Sequence, residues 1–298
     1  EPAPICNGLP ATVYVNSAGI VVGDPFFAGE IYNPNTMSLN GTLEDDVIVG
    51  TAEGELIWGG DGGNDTICAG EGNNNIYDAS GNNTIFAGNG DNFVGLGNGD
   101  DVVDVGDGTN FIYLSDSVGA DGGTNTITVG DGNNDVWLLG GNNTIAAGNG
   151  DNAIGLGVGT DSITTGSGNN IIYMVDAAGT ADGSKDVVTG IGNDWVQTGS
   201  GDDLLNLGTN AGAADSFDIA FGQGGSDTFV LNEGLGLLTV GDFIQGIDKL
   251  SGVAFEDIGF TVDTVRGSTW VWSADTGDVL SELQGVTSTL TSNDFAAV

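Results

Sequence analysis

The apolar residues of this chain recur every nine positions, and this period limits the possible folds more than any other feature. The first run places an aliphatic residue at Ile67, Ile76, Ile85, Val94, Val103 and Ile112. The same spacing returns at 127–172 and at 187–205, each time after a gap of 15 residues, so a larger unit of 60 residues also repeats. Nine residues fit neither a helical period nor a β-hairpin meander, and internal repetition of this kind indicates a solenoid.

Each repeat contains a glycine-rich turn followed by a very short strand, as in GNGDNFVGLGNGD (88–100). Glycines supply the positive φ angles and the close backbone approach that tight turns need. In the three-residue strand that follows, the central aliphatic residue is buried and its two neighbours point outward. Two repeats then form one coil of 18 residues with a strand on each side, and stacked coils pair their strands in parallel around a thin core. The sequence therefore predicts an all-β, parallel β-solenoid.

Composition restricts the function of such a solenoid. The chain has 298 residues, 42 acidic residues, only three Lys plus Arg, no histidine and a formal charge of −39. Such self-repulsion opposes compaction unless cations neutralise it. Nucleic acid is excluded as a partner because there is no basic patch, and no run approaches the ~18 apolar residues of a membrane span. Without histidine there is neither an H-E-x-x-H zinc site nor a Ser-His-Asp triad, so we expect no enzyme activity.

Two segments resemble a known calcium-binding repeat. GGDGGNDTICAGEG (59–72) and FGQGGSDTFVL (221–231) are similar to the RTX, or haemolysin-type, phrase G-G-x-G-x-D-x-U-x of secreted bacterial proteins. The resemblance implies a right-handed parallel β-roll in which several Ca²⁺ ions lie between successive turns, held by the Asp at the sixth position and by turn carbonyls. LTVGDFIQGIDKLSG (238–252) resembles the segment that closes such rolls, and NDFAAV (293–298) resembles the tail of type I secretion substrates.

The resemblance and the period together divide the chain into three parts and place it outside the cell. We expect an N-terminal strand cap at 1–40, a calcium-binding roll at 41–232, and a small C-terminal β domain at 233–298 that ends in the secretion-like tail. Cys6 and Cys68 are the only cysteines. A disulfide between them would tie the cap to the first repeat, which suits an oxidising, extracellular setting.

Alternate turns lie on opposite edges of the predicted roll, and the two edges differ in sequence. Edge A comprises the turns that lead into residues 48, 67, 85, 103, 127, 145, 163, 187 and 205, and edge B those that lead into 57, 76, 94, 112, 136, 154, 172 and 196. Since Ca²⁺ prefers carboxylate and carbonyl oxygens, the candidate ligands at the sixth position are Asp46, Asp65, Asp101, Asp161, Asp194, Asp203 and Asp227. Candidates at the fifth position are Asp91, Asp100, Asp151 and Asp202.

Edge B departs from the family pattern, because between Glu55 and Asp194 its sixth positions read Asn74, Asn92, Asn110, Asn134, Asn152 and Asn170. A stacked asparagine ladder satisfies turn amides by hydrogen bonds without a metal. We therefore expect calcium mainly on edge A and more weakly on edge B. The two 15-residue gaps place Asp116 and Asp176 at equivalent positions near edge A, where they add ligands or merely solvate a loop.

The two sheet faces also differ. Beside the buried positions, face A carries mainly threonines, whereas face B carries Trp58, Tyr77, Phe93, Phe111, Tyr113, Trp137, Ile171, Tyr173 and Trp195. Soluble monomers seldom leave such a row of rings bare, so either the termini cover it or it meets a second copy, another partner or a glycan. We expect a secreted, calcium-dependent structural protein that self-assembles into a surface layer or filament. The alternative is a calcium-dependent adhesin or carbohydrate-binding surface protein, and the threonine face makes ice binding a third reading.

Overall fold

The computed structural model describes residues 2–115, 123–174, 183–208, 216–233 and 236–296. Within these ranges the chain forms β-strands and two short 3-10 helices, and no helix is long and apolar enough to cross a membrane. The chain divides into two compact units, Glu1–Gly148 and Asn149–Val298. Asp116 and Asp176, the candidate ligands of the two long gaps, lie outside the described residues.

The first unit consists of short strands separated by the glycine turns. Its strands are β1 Ile5–Cys6, β2 Leu9–Pro10, β3 Val13–Val15, β4 Val21–Val22, β5 Leu39–Asn40, β6 Val47–Val49, β7 Leu56–Trp58, β8 Thr66–Gly70, β9 Asn75–Ser80, β10 Thr84–Ala87, β11 Phe93–Asn98, β12 Val102–Val105, β13 Phe111–Leu114, β14 Thr126–Val129, β15 Asp135–Gly140 and β16 Thr144–Ala147.

Alternate strands of the first unit build two parallel sheets. Face A runs from β3 through β6, β8, β10, β12 and β14 to β16, and face B runs from β5 through β7, β9, β11 and β13 to β15. Ile85 pairs with Val103 on face A, and Ile76 pairs with Val94 on face B. Each pair is 18 residues apart, so two repeats form one coil. This arrangement confirms the predicted parallel β-roll.

The core of the first unit is the thin aliphatic layer that the nine-residue period predicts. Residues that recur in that phase are at most 1% exposed; they are Ile48, Ile57, Ile67, Ile76, Ile85, Val94, Val103, Ile112, Ile127, Val136 and Ile145. Strands this short have little intrinsic stability, and the stacking of each coil on its neighbours buries this continuous column.

The N-terminal segment adds strands to the sheets and is tied to them covalently. β3 pairs in parallel with β6 and antiparallel with β4, while β5 pairs in parallel with β7. A disulfide joins Cys6 of β1 to Cys68 of β8. The predicted bond is thus confirmed, and it fixes the first strand of the chain to the third coil-forming strand of face A.

The second unit repeats the same construction. Its strands are β17 Ala153–Val158, β18 Asp161–Thr165, β19 Ile171–Met174, β20 Lys185–Thr189, β21 Trp195–Gln197, β22 Leu204–Leu207, β23 Ser216–Phe221, β24 Thr228–Val230, β25 Gly236–Val240, β26 Lys249–Ser251, β27 Ile258–Asp263, β28 Ser268–Ser273 and β29 Val279–Gln284. The 3-10 helices span Phe255–Asp257 and Ser292–Asp294.

Parallel pairing continues in the second unit until the chain changes to an antiparallel sheet. One sheet orders β18, β20, β22, β24 and β26 in parallel. The other orders β17, β19, β21, β23, β25 and β29 in parallel, after which β28 and β27 follow antiparallel. The last strand of the chain therefore returns to dock on β25, and the β27–β28 hairpin extends that sheet.

Candidate metal centres in the turns

Where the sixth position of a repeat is Asp or Asn, it performs the same structural task on both edges. Its Oδ1 atom accepts the backbone N–H of the sixth residue in the preceding coil. On edge A, Asp65 Oδ1 accepts from Asp46 N at 2.7 Å, and Asn83 Oδ1 accepts from Asp65 N at 2.9 Å. Edge B shows the same bond, for example from Asn74 N to Asn92 Oδ1 at 3.1 Å. Because Asp and Asn both offer this oxygen, they are equivalent in this inner ladder and differ only in their second atom.

Where that residue is asparagine, its second atom is a donor that satisfies the turn. Asn92 is 2% exposed, and its Nδ2 donates to Gly88 O at 3.1 Å and to Gly90 O at 3.0 Å. It also donates to Asn110 Oδ1 at 3.1 Å. The same pattern recurs at Asn74, Asn110, Asn134 and Asn170. The predicted asparagine ladder on edge B is confirmed, and it satisfies the turn carbonyls without a metal.

Where that residue is aspartate, the second atom is an oxygen that cannot donate. Asp65 is 1% exposed and its Oδ2 has no hydrogen-bond partner. Burial raises the pKa of Asp65 and of Asp194, and burial together with the nearby Asp203 raises that of Asp227 to about 7. A buried acceptor without a donor costs free energy. A cation supplies what is missing, and carboxylate and carbonyl oxygens are the donor set that Ca²⁺ prefers.

Few carboxylates converge on any single possible metal position along edge A. Among the described residues, no group of three or more His, Cys, Asp or Glu side chains converges to hold a metal. A turn that supplies one carboxylate and several backbone carbonyls remains compatible with Ca²⁺, which accepts six to eight oxygen ligands including carbonyls and water. The residues present therefore fit the ion that the sequence pattern implies.

The first aspartate of edge A is satisfied by the protein itself. Asp46 Oδ2 accepts from Thr42 N at 2.6 Å and from Thr42 Oγ1 at 2.8 Å, while its Oδ1 accepts from Thr12 Oγ1 at 2.8 Å. These bonds fasten the N-terminal segment to the first turn. Among the predicted ligands, Asp46 thus has a clear structural role at the end of the stack.

One turn of edge A carries its own cation. Lys185 takes the sixth position and is 1% exposed. Its Nζ lies 3.3 Å from Asp161 Oδ2 and donates to Gly183 O at 3.1 Å and to Gly159 O. The ammonium group thereby neutralises the predicted ligand Asp161 and satisfies two turn carbonyls. These are the same kinds of oxygen that a bound Ca²⁺ would contact.

The fifth-position candidates lie in a second, outer ladder. Asp100 Oδ1 accepts from Thr124 N at 2.7 Å, Asp91 Oδ1 from Thr109 N at 2.8 Å, Asp151 Oδ1 from Asn169 N at 2.7 Å and Asp202 Oδ1 from Ser226 N at 2.8 Å. All four side chains are exposed. Here the acceptor belongs to the earlier coil, opposite to the inner ladder. The structure thus separates these four from the buried sixth-position group, and their role as ligands stays a prediction.

Sequence reasoning missed several buried carboxylates. Asp78 is 5% exposed and Asp218 and Asp248 are each 2% exposed. Asp218 and Asp248 continue the inner ladder in the second unit, where they accept from Asp194 N and Asp227 N. A gap of irregular length precedes each of them, which hides the nine-residue phase. Asp78 does lie in phase, and its signal is the presence of an acid at a position that other coils fill with leucine.

Comparison with known proteins agrees with this geometry. The model of the RTX calcium-binding nonapeptide repeat matches residues 40–76, 59–94, 77–112, 119–154, 156–173 and 186–211. Together these segments cover more than half of the chain. No curated protein matches the chain significantly.

Proposed function

The chain belongs to the RTX calcium-binding nonapeptide-repeat family, and on that premise we propose that it is an extracellular structural protein whose copies assemble into a surface layer or filament when calcium is bound. Its repeats bind Ca²⁺ in a β-roll, and RTX repeat proteins are typically secreted. A non-enzymatic role fits a chain without histidine.

The observation that carries the proposal is an exposed ladder of aromatic rings on face B of the first unit. Trp58 and Tyr77 stack with their ring centroids 4.7 Å apart, Tyr77 and Phe93 lie 5.1 Å apart, and Phe93 and Phe111 lie 5.4 Å apart. Trp58 remains 47% exposed and Phe111 37% exposed. The described N-terminal strands pair at the end of the sheets and leave these two rings uncovered. Such a continuous apolar strip supports an interface.

The orientation of the rings favours a protein surface over a sugar. Trp58 is inclined by 18° to Tyr77, and Phe93 by 6° to Phe111. Rings that stack on one another cover their faces and present their edges to solvent. A carbohydrate platform needs exposed ring faces, whereas an apolar protein surface packs against edges equally well. Self-association is therefore the better fit to this ladder, and glycan binding becomes an alternative outcome of the test.

Charge links assembly to calcium. Two copies that each carry a formal charge of −39 repel one another, and the chain has only three basic residues to offer as partners. Bound Ca²⁺ reduces that repulsion while the rings supply adhesion, since burying apolar area contributes roughly 25 cal/mol per Å². Assembly is expected to require both.

The test changes Trp58, Phe93 and Phe111 together to serine. Negative-stain microscopy and light scattering of the calcium-loaded parent should show ordered assemblies that EDTA disperses, and the triple variant should stay monomeric with an unchanged circular dichroism spectrum. A control variant, Val102→Ser with Thr126→Ser on face A, should assemble as the parent does. Assembly of the triple variant like the parent would contradict the proposal. A parent that is monomeric in calcium but binds immobilised glycans through these rings would favour the adhesin instead.

A further inference from the structure

Asp78 interrupts a column of buried aliphatic side chains. Where face B leads into edge A, the register aligns Asp78 with Leu96, Leu96 with Leu114, and Leu114 with Leu138. The three leucines are at most 2% exposed, and Asp78 is 5% exposed. A leucine would extend the core here, whereas an ionised carboxylate in the same place is strongly disfavoured unless something compensates its charge.

The protein supplies no hydrogen bond that compensates it. Neither Oδ1 nor Oδ2 of Asp78 has a hydrogen-bond partner. Asp65, the sixth-position residue of the neighbouring turn, also has an Oδ2 without a partner. Its Oδ1 is already used by the inner ladder.

The two unpartnered carboxylates point at the same place. A Cβ atom added to Gly59 would overlap Asp78 Oδ2 and would lie 3.1 Å from Asp65 Oδ2. Glycine at position 59 thus makes room for the Asp78 carboxylate, and the Oδ2 atoms of Asp78 and Asp65 flank the same point. Two carboxylate oxygens that are buried side by side need either a proton or a cation between them.

Side-chain cations are absent from this half of the sequence. Residues 1–148 contain no lysine, arginine or histidine. The carboxylates of Asp65 and Asp101 lie near Asp78 and repel a negative charge on it. The charge must therefore be neutralised from outside the chain, in contrast to Asp161 in the second unit, which has Lys185.

We infer that Asp65 and Asp78 together hold a Ca²⁺ ion at a site that differs from the other turns by its second buried carboxylate. The inference rests on the proposed calcium-dependent function. Ca²⁺ bonds oxygen at about 2.3–2.6 Å, and its affinity rises with the number of charged ligands. This turn is therefore the tightest calcium site of the first unit, and it lies next to Cys68, where the disulfide anchors the N-terminal segment.

The test restores the leucine of the column. Asp78→Leu and the near-isosteric Asp78→Asn are compared with the parent by calcium titration calorimetry, and by elemental analysis of bound calcium after gel filtration at low free calcium. Both variants should lose one ion per chain and the tightest binding phase, with at least a tenfold weaker first affinity. Asp24→Asn is the control, because the carboxylate of Asp24 is 2% exposed but accepts hydrogen bonds from Phe26 N, Phe27 N and Asn40 N. It should lose stability but no calcium.

The possible outcomes distinguish failure of the Asp65–Asp78 site from failure of the proposed calcium-dependent function. If both Asp78 variants keep the parent's ion count and affinity, and Asp78→Leu is more stable, the two carboxyls share a proton and the inference is wrong, while calcium binding elsewhere stands. If the parent itself binds no calcium by either measurement, the proposed function fails as well. Asp78→Asn keeps the test decisive if the leucine variant does not fold.

Discussion

At the sixth position of the repeat, the backbone needs one acceptor and the turn needs one positive or donating group. Asparagine provides both in one side chain: Asn92 Oδ1 accepts from Asn74 N, and Asn92 Nδ2 donates to Gly88 O. Aspartate provides only acceptors, so its second oxygen needs a donor from elsewhere, as Thr42 gives to Asp46, or a cation, as we propose for Asp65. Lysine provides the positive charge from within the chain, as at Lys185. The choice of residue therefore decides turn by turn whether an ion is needed.

Replacement of Lys185 tests this account. Lys185→Met removes the ammonium group that lies 3.3 Å from the buried carboxylate of Asp161, so we expect a loss of roughly 3–5 kcal/mol in the free energy of unfolding. Lys185→Asp, which restores the family residue, should regain stability only when calcium is present and should bind one additional ion per chain. Chemical denaturation with and without calcium, combined with elemental analysis, measures both effects. Equal stability of Lys185→Met and the parent would contradict the role of the pair.

Glu55 makes stability depend on pH. It occupies a sixth position on edge B, is 2% exposed, and accepts a hydrogen bond from Thr51 Oγ1 at Oε1 only. Burial raises the pKa of Glu55 from 4.5 to about 7. A carboxyl whose pKa is raised in the folded state stabilises the fold below pH 4.5, and this contribution is lost as the pH rises to about 7.

The glutamine side chain in Glu55→Gln cannot ionise, so the free energy of unfolding of this variant should not fall in that way as the pH rises. Relative to the parent at constant calcium, the variant should gain up to about 3 kcal/mol between pH 4.5 and pH 7, with no further change above that range. Guanidinium denaturation across this pH range provides the measurement. Parallel pH profiles for the two proteins would show that the Glu55 carboxylate is compensated in another way.

Among the structural elements, the asparagine ladder is a row of turns held by hydrogen bonds alone. Asn92→Ala removes the donor to Gly88 O and Gly90 O and the acceptor of Asn74 N, all in a buried place. We expect a loss of about 1–3 kcal/mol in the free energy of unfolding and no change in bound calcium. The matched control Asn82→Ala, an exposed member of the outer ladder, should cost less. A lower calcium content of Asn92→Ala would mean that edge B also depends on the ion.

The elements that repeat were predictable, whereas those outside the repeat were only partly so. The nine-residue phase identifies Ile85 and Val103 as buried partners because each coil has the same length. The C-terminal segment was predicted as a small β domain, and strands are found there at Ile258–Asp263 and Ser268–Ser273. The third strand, Val279–Gln284, and its parallel docking on Gly236–Val240 were not predicted. That pairing joins distant parts of the chain and follows no period.

The chemistry of individual turns was predictable only where one residue determines it. The Asn92 ladder follows from residue type and period together. The pairing of Lys185 with Asp161 depends on the side-chain conformation of Lys185. The closeness of Asp78 to Asp65 depends on how two coils stack. The sequence shows an unusual residue at each of these places, but the partner becomes visible only in three dimensions.

For the whole molecule, calcium balances a charge that the chain cannot balance itself. The chain has a formal charge of −39 and only three basic residues. Its negative charges lie closer together in the folded state than in the unfolded state, so they repel one another more strongly there. Because the unfolded chain has no formed site, calcium binding contributes directly to folding free energy. Excess EDTA should abolish the β-sheet signal in far-UV circular dichroism, and Ca²⁺, but not an equal concentration of Mg²⁺, should restore it. An unchanged spectrum in EDTA, with no metal found by elemental analysis, would contradict this expectation.

The two ladders run in opposite senses, so each end of a stack of coils leaves one kind of backbone amide without an acceptor. In the outer ladder a coil donates to its predecessor, as Asn64 N does to Asp45 Oδ1. In the inner ladder a coil donates to its successor, as Asp46 N does to Asp65 Oδ1. When a coil is added at the C-terminal end, its outer-ladder N–H therefore finds an acceptor in the preceding coil. Its inner-ladder N–H has no acceptor until another coil follows. On edge A the series ends at Asp248, whose own N–H bonds to Ile244 O within the same turn, so a chain cut just before that residue leaves the N–H of Asp227 without the acceptor that Asp248 Oδ1 provides.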